Sequence, residues 1–337
     1  MKYKTIAVAL FVTASILSLA TVASAQKDPR LLGTIGSGFT PGLAHSQQAF
    51  TPLSTLTYTN ASYGTGGVAM RNRIKGEIQI SGVNGPTQDA WLYWAVLFQS
   101  SPSSSALKKA EAVTIQREYP AGAGSASVVV HGTLLAVGGD PCWGSAGTWV
   151  FRAQVPASVA TGNGVYKIVL SGAATGLTDG EDPWDGNVVF PLAEGASLVI
   201  IGTGSATVGL YDSQAGTTFF SSQTNSYTLP GTFNSQALLD NFGYDGQIGS
   251  SRTISFSNET TTVTGSPSGT SVLVAGPGGE TGDSDWDGSA GWPLPQLWDD
   301  TGHDISNALI PTDTAITVTY VPYGDCLGLV GSVISVQ

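Results

Sequence analysis

Short segments of β-strand character, each ended by glycine, proline, asparagine or serine, recur along most of this chain. Residues 74–80 (IKGEIQI) alternate apolar and polar side chains, as a half-buried strand does. Residues 90–98 (AWLYWAVLF) are almost wholly apolar and predict a strand buried on both faces. Only residues 235–239 and 304–309 resemble helical turns. Further segments of strand character follow at 112–117, 126–130, 133–137, 148–155, 165–170, 197–201, 207–211, 252–256, 260–263, 271–274, 315–321 and 329–336.

The composition excludes a helical protein. Charged residues make up 11 % of the 337 residues, whereas an average soluble domain has roughly a quarter. Glycine accounts for 44 residues, and the glutamate, lysine and arginine that cover helix surfaces are scarce. Hydrophobic residues make up 41 %, which is enough for a core and argues against a disordered chain. The fold class expected is therefore all-β: a sandwich, a barrel or a jelly roll.

The first 25 residues have the pattern of a secretory signal peptide. Lys2 and Lys4 precede an apolar stretch at 6–19, and Ala23-Ser24-Ala25 provides a small-residue cleavage site. The apolar stretch is short for a membrane anchor, and no later stretch is long enough to cross a bilayer as a helix. We therefore expect an exported protein that is secreted or held at the cell surface or in the periplasm.

An internal repeat divides the mature chain. Gly144-Ser145-Ala146-Gly147 recurs as Gly288-Ser289-Ala290-Gly291, and each copy follows a loop with Asp and Trp and precedes another Trp. Similar strand segments follow each copy in the same order. The ordered matches favour a duplication. We expect two tandem jelly-roll-like antiparallel β-sandwiches at 71–204 and 205–337, after an extended lead-in at 26–70 with room for one strand.

Three motifs accompany this pattern. They are Trp91-Leu92-Tyr93-Trp94 in the buried strand, the repeated strand–loop–strand units, and Gly324-Asp325-Cys326-Leu327 before the last strand. With these motifs, roughly residues 76–335 of the chain resemble a family of uncharacterised secreted β-sandwich domains from bacterial and archaeal cell envelopes. The resemblance implies a location at the cell surface. It implies no established reaction and supplies no catalytic residue.

Negative charge is concentrated in the second half of the chain. The formal net charge is −11, which argues against nucleic acid as a partner. From residue 168 onwards the chain has 18 acidic residues and one basic residue, Arg252. Clustered carboxylates repel one another unless cations, protons or solvent compensate them. A metal ion is therefore an expected partner, and three His and two Cys leave little material for zinc or copper.

The loop Asp283-x-Asp285-x-Asp287-Gly288 is the candidate calcium site. Alternate acidic residues on a curved loop can point at one centre, and hard oxygen ligands select calcium. Leu294 stands where an EF-hand has its last glutamate, so the loop needs further ligands, for which Asp299 and Asp300 are candidates. The alternative is a solvated acidic turn without an ion.

Tryptophans accompany the acidic loops. Trp184 lies beside Asp182 and Asp185, and Trp286 and Trp292 lie in and after the candidate calcium loop. A tryptophan ring beside carboxylates can stack on a sugar whose hydroxyls the acids bind, so these five residues form the predicted ligand site. The alternative is that the tryptophans close the ends of the sandwiches.

Two hypotheses about function follow. The first is a non-catalytic binding or structural protein of the cell envelope, stabilised by calcium, whose partner is a glycan or an envelope component. The second is a carbohydrate-active hydrolase that uses paired carboxylates, either Asp182 with Asp185 or Asp299 with Asp300. No G-x-S-x-G motif supports a serine hydrolase.

Export would also permit a disulfide bond. Cys142 and Cys326 are the two cysteines of the chain, so they form the one candidate pair. A bond between them would tie the middle of the chain to its C-terminal end. Free thiols are the alternative, because pairing depends on a geometry that the sequence does not give.

Overall fold

The computed structural model describes residues 53–70, 75–120, 122, 126–139, 146–170, 190–213, 218–219, 221–244, 259–277, 279, 298–323 and 327–337. Most of these residues lie in strands. The elements in chain order are β1 (Leu53–Ala69), β2 (Lys75–Ile80), β3 (Asp89–Phe98), α1 (Ser104–Ala110), β4 (Ala112–Tyr119), β5 (Val128–His131), β6 (Thr133–Gly138), β7 (Gly147–Gln154), β8 (Gly164–Leu170), β9 (Leu192–Thr203), β10 (Ala206–Asp212), β11 (Thr218–Phe219), β12 (Gln223–Thr228), β13 (Ala237–Tyr244), β14 (Thr260–Ser266), β15 (Ser271–Ala275), β16 (Trp298–Asp304), a 3-10 turn (Ser306–Ala308), β17 (Ala315–Val321) and β18 (Leu327–Val336).

The strands form three sheets. The large sheet has the order β16-β13-β18-β10-β1-β9-β3-β7-β6, and β11 adds to β18. The first outer sheet has the order β2-β8-β4-β5, and the second outer sheet has the order β12-β17-β14-β15. Neighbouring strands in all three sheets pair antiparallel within the described residues.

Three apolar cores hold these sheets together. The first outer sheet packs on β3, β7 and β9, and the second packs on β10, β13 and β18. The remaining face of the large sheet forms a third cluster, the central core, which joins Tyr93 of β3 to Phe242 of β13. Their rings lie 4.9 Å apart although four strands separate β3 from β13 in the sheet order. The large sheet therefore turns back so that its two halves face each other.

Strand β1 belongs to both halves of the large sheet. It pairs with β10 from Leu53 to Ala61 and with β9 from Ala61 to Ala69. Glycines in the second part of β1 let neighbouring side chains approach its backbone closely. A Cβ atom at Gly67, for example, would lie only 2.9 Å from the indole of Trp298. This glycine-rich composition also explains why the sequence periodicity of β1 is weak.

The predicted all-β fold class is confirmed, and the sheets pack in a sandwich-like way. The division into two tandem sandwiches is not confirmed, because one hydrogen-bonded sheet continues through both parts of the chain. The boundary expected near 205 falls between β9 and β10, which both pair with β1. The strand β1 lies within the segment 26–70 that was expected to be an extended lead-in.

The structure corrects two local predictions. Residues 235–239 were predicted to form a helical turn, but Ala237 begins strand β13, because its side chains alternate between two cores. Helix α1 was not predicted, although Ser103 provides its N-terminal cap by accepting a hydrogen bond from the Ala106 N–H. The helical turn predicted at 304–309 is confirmed as a 3-10 turn. Within the described residues, no helix has the length and apolar character required to span a bilayer.

Gly195 offers a test of how the two halves pack. A Cβ at this position would overlap the buried indole of Trp298, whose Nε1 donates a 2.9 Å hydrogen bond to Ser197 Oγ. We expect Gly195→Ala to lower the free energy of unfolding by about 1–3 kcal/mol, as overpacking does. Urea unfolding measures the change. Gly139→Ala is the control, because a Cβ there meets no described atom within 4 Å. Equal effects of the two substitutions would contradict this packing.

Candidate functional site

Two aspartates and two hydroxyl groups converge where β1, β13 and β16 meet. Tyr63 and Thr65 lie on one face of β1, the face that also carries Ala61 into the central core. The Tyr63 hydroxyl donates a hydrogen bond to Asp240 Oδ2, and the Thr65 hydroxyl donates one to Asp300 Oδ1. We call Tyr63, Thr65, Asp240 and Asp300 the carboxylate site.

The strand register places both aspartates on the same face. Asp240 of β13 is opposite Gly302 of β16, and Phe242 is opposite Asp300. Side chains two residues apart share a face, so Asp240 and Asp300 are diagonal neighbours, with Cβ atoms roughly 7 Å apart. Gly302 leaves space for the carboxylate of Asp240, because a Cβ at this position would lie 2.4 Å from Asp240 Oδ1.

The site lies at the edge of the central core and is accessible from solvent. All four of its residues are partly exposed, and Gly302 is exposed. Trp298, two residues before Asp300 on the same face of β16, is fully buried in the central core. The carboxylate site therefore packs against the apolar central core on its inner side and is open to solvent on its outer side.

Burial and charge change the acidity of these groups. Burial, together with the charge of Asp240, raises the pKa of Asp300 from its ordinary 3.8 to about 7, although the hydroxyls of Ser197 and Thr65 act in the opposite direction. Burial and the charges of Asp240 and Asp300 hold the pKa of Tyr63 well above its usual 10.0. Asp300 Oδ2 is buried and has no hydrogen-bond partner within the described residues.

A second polar cluster on the large sheet is compensated in charge. The Arg152 guanidinium lies 2.6 Å from Asp212 Oδ2 and stacks 4.6 Å above the ring of Trp91. The Tyr93 hydroxyl donates to Asp212 Oδ1 over 2.8 Å. An acid that is paired with both a cation and a hydroxyl has its charge satisfied internally, so we assign this cluster to stability rather than to ligand binding.

Most of the residues predicted as a site fall outside the described part of the chain. Asp299 and Asp300 are consecutive residues of β16, so their side chains project from opposite faces of the sheet. Asp299 is buried, and Asp300 belongs to the carboxylate site. The structure therefore does not bring these two carboxylates to one point. The predicted residues outside the described chain are Asp283, Asp285 and Asp287 of the calcium loop, Asp182, Trp184, Asp185, Trp286 and Trp292 of the ligand site, and Cys142 and Cys326.

Three members of the carboxylate site were not predicted from the sequence. Tyr63 and Asp240 are 177 residues apart, and Thr65 and Asp300 are 235 residues apart. Tyr63-x-Thr65 has the spacing of one strand face, which was the one local signal available. Within the described ranges, no group of three or more His, Cys, Asp or Glu side chains is placed to hold a metal ion.

Comparison with known proteins gives little information. No family model and no curated protein matches the chain. Among solved structures, N-glycanase F (PNGase F) is similar at 12% identity and a TM-score of 0.25, over 82% of this chain and 96% of that one. The plant receptor-like kinase FER is similar at 7% identity and a TM-score of 0.20, over 86% of this chain and 93% of that one. Scores this low bear on neither fold nor function.

The raised pKa of Asp300 predicts a pH dependence of stability. The folded protein holds a proton that the unfolded chain releases above pH 3.8, so the stabilisation present at low pH is lost as pH rises through about 7. We expect Asp300→Asn to remove this loss and to stabilise the protein at pH 8 relative to the wild type. The difference between the two pKa values corresponds to at most about 4 kcal/mol.

Urea unfolding of both proteins between pH 4 and pH 8 measures this effect. Asp304→Asn is the matched control, because Asp304 is an exposed aspartate on the same strand. A wild-type minus Asp300→Asn difference that stays constant over this pH range would contradict the assignment.

Proposed function

We propose that this chain is an exported, non-catalytic binding protein of the cell envelope, whose ligand is rich in hydroxyl groups, such as a glycan. The observation that carries the proposal is the convergence of Asp240, Asp300, Tyr63 and Thr65 at a partly exposed position. Carboxylates accept hydrogen bonds from sugar hydroxyls, and the tyrosine and threonine hydroxyls hold both carboxylates in place. Export rests on the signal-peptide pattern of residues 1–25.

Calcium is part of the proposal. The support is the sequence pattern of Asp283, Asp285 and Asp287, whose spacing suits a single ion. In this proposal the ion orders a loop that carries Trp286. One of Asp299 and Asp300 can supply a further ligand but not both, because their side chains project from opposite faces of β16.

Thermal unfolding in EDTA and then in millimolar calcium tests the ion. We expect a calcium-selective rise in stability of about 2.7 kcal/mol at a hundredfold excess over the dissociation constant. Asp285→Asn should abolish this rise because it removes a ligand, whereas Asp304→Asn should retain it. The absence of a shift, or an equal shift with magnesium, would contradict the calcium site.

A hydrolase is the second candidate function. The observation that favours it is the pairing of Asp300, with a pKa of about 7, with a second carboxylate, Asp240. Glycoside hydrolysis uses one protonated and one ionised carboxyl group, and different environments keep their pKa values apart. In this reading Asp300 would be the acid and Asp240 the base or nucleophile.

A glycan array with the mature protein separates the two functions. We expect the protein to bind at least one glycan. Asp240→Asn should lower the affinity for that glycan about tenfold or more, because it removes a carboxylate that accepts hydrogen bonds. Asp304→Asn should leave the affinity unchanged. The glycans that bind are then incubated with the protein and assayed for new reducing ends. If the protein produces new reducing ends and Asp300→Asn abolishes this turnover, the hydrolase replaces the non-catalytic binding protein as the proposed function. An array without any bound glycan would contradict the proposal.

A further inference from the structure

We propose that Asn84 is a site of spontaneous covalent modification, at which the side-chain amide is lost and the residue becomes aspartate or isoaspartate. The reaction needs neither a ligand nor an enzyme, and its co-reactant is water. It is independent of the proposed function and of the carboxylate site. Asn84 lies in the turn between β2 of the first outer sheet and β3 of the large sheet, so the modification falls on a link between two sheets.

The sequence supplies the reacting groups. An asparagine is followed by a glycine at two places in the 337 residues, Asn84-Gly85 and Asn163-Gly164. In such a pair the backbone nitrogen of the glycine attacks the side-chain Cγ of the asparagine. The N–H proton and the amide NH2 leave together as ammonia, and a succinimide ring closes. Water then opens the ring at either carbonyl and gives aspartate or isoaspartate. Glycine favours the attack because it has no Cβ to hinder its nitrogen.

In the folded protein the reacting groups at Asn84 are open to solvent. Asn84 and Gly85 are both exposed. Ser62 Oγ accepts a 2.8 Å hydrogen bond from the Asn84 N–H and donates one of 3.3 Å to the Asn84 carbonyl, so these bonds involve the backbone of Asn84. Within the described residues, neither the side-chain amide of Asn84 nor the N–H of Gly85 has a hydrogen-bond partner. The amide can therefore turn towards the Gly85 nitrogen without breaking a bond to the protein.

The second asparagine–glycine pair has the opposite arrangement. Asn163 is also exposed, but its side chain is bonded to the backbone of Val83. Asn163 Oδ1 accepts from the Val83 N–H, and Asn163 Nδ2 donates to the Val83 carbonyl, each over 2.9 Å. Gly164 begins strand β8 opposite Ile80. Attack at Asn163 first requires both hydrogen bonds to break, so it should be slower than attack at Asn84 by about tenfold or more.

The fold itself requires the residue that makes Asn84 reactive. Gly85 has a φ of +60°, in the left-handed region that favours glycine. A Cβ at this position would also lie 1.9 Å from Thr203 Oγ1. A residue with a side chain would slow the attack on Asn84 but would not fit against Thr203. The conformation of the turn and its reactivity therefore depend on the same glycine.

Incubation in water enriched in oxygen-18 at pH 8, followed by peptide mass spectrometry, tests the proposal. We expect Asn84 of the folded protein to lose its amide and gain one solvent oxygen, about tenfold or more faster than Asn163 does. In urea the two asparagines should react at similar rates, because each then depends on its local sequence alone. Asn84→Gln is the control variant. Its longer side chain would have to close a six-membered ring, so position 84 should keep its amide while Asn163 reacts as in the wild type.

Two outcomes would overturn the proposal. If Asn163 reacts as fast as Asn84 in the folded protein, the hydrogen bonds to Val83 do not control the reaction. If Asn84 reacts in urea but not in the folded protein, the turn protects it. Digestion at acidic pH prevents the reaction from continuing during the preparation of peptides, because the attacking nitrogen must lose its proton. Circular dichroism at the end of the incubation verifies that the protein has stayed folded.

Discussion

The pairing of β1 with two different strands is the constraint on which the rest of the structure depends. The first part of β1 pairs with β10 and the second part pairs with β9, and the two pairings meet at Ala61. This sharing makes one continuous sheet, whose halves then face each other across the central core. Small residues make the arrangement possible, because Gly67 and Gly195 admit the indole of Trp298 between the halves.

The folding-back of the sheet also creates two kinds of polar cluster from similar residues. Around Asp212, a tyrosine hydroxyl and an arginine complete the hydrogen bonding, and the cluster stabilises the sheet. Around Asp300, burial raises the pKa of the carboxyl group, and the charge of Asp240 acts in the same direction. The first kind of cluster adds stability, whereas a carboxyl group whose pKa is raised by burial costs stability at neutral pH, which is why the cluster around Asp300 is the candidate site.

The sequence was sufficient for the fold class but not for the site. Alternation in 74–80 and continuous apolarity in 90–98 predicted β2 and β3, because burial dictates those side chains locally. β1 was recognised only as an extended segment with room for one strand, since its glycines follow no pattern of their own. Gly67 leaves space for Trp298, and Gly64 and Gly66 leave space for residues 78–83. The segment just before Asp240, residues 235–239, was predicted to form a helical turn, and the partner of Asp240, Tyr63, is 177 residues away, so no local spacing could have joined them. Asp300 was singled out for its charge, and the structure gives it different neighbours from those expected.

The place of β1 has a consequence for how the protein reaches its native state. β1 comes early in the chain, yet its partners β9 and β10 are synthesised much later, and β10 in turn needs β18 at the C-terminal end. Contacts this distant in sequence close slowly, because the entropy of long loops must be lost first. The large sheet therefore cannot be completed until almost the whole polypeptide is available.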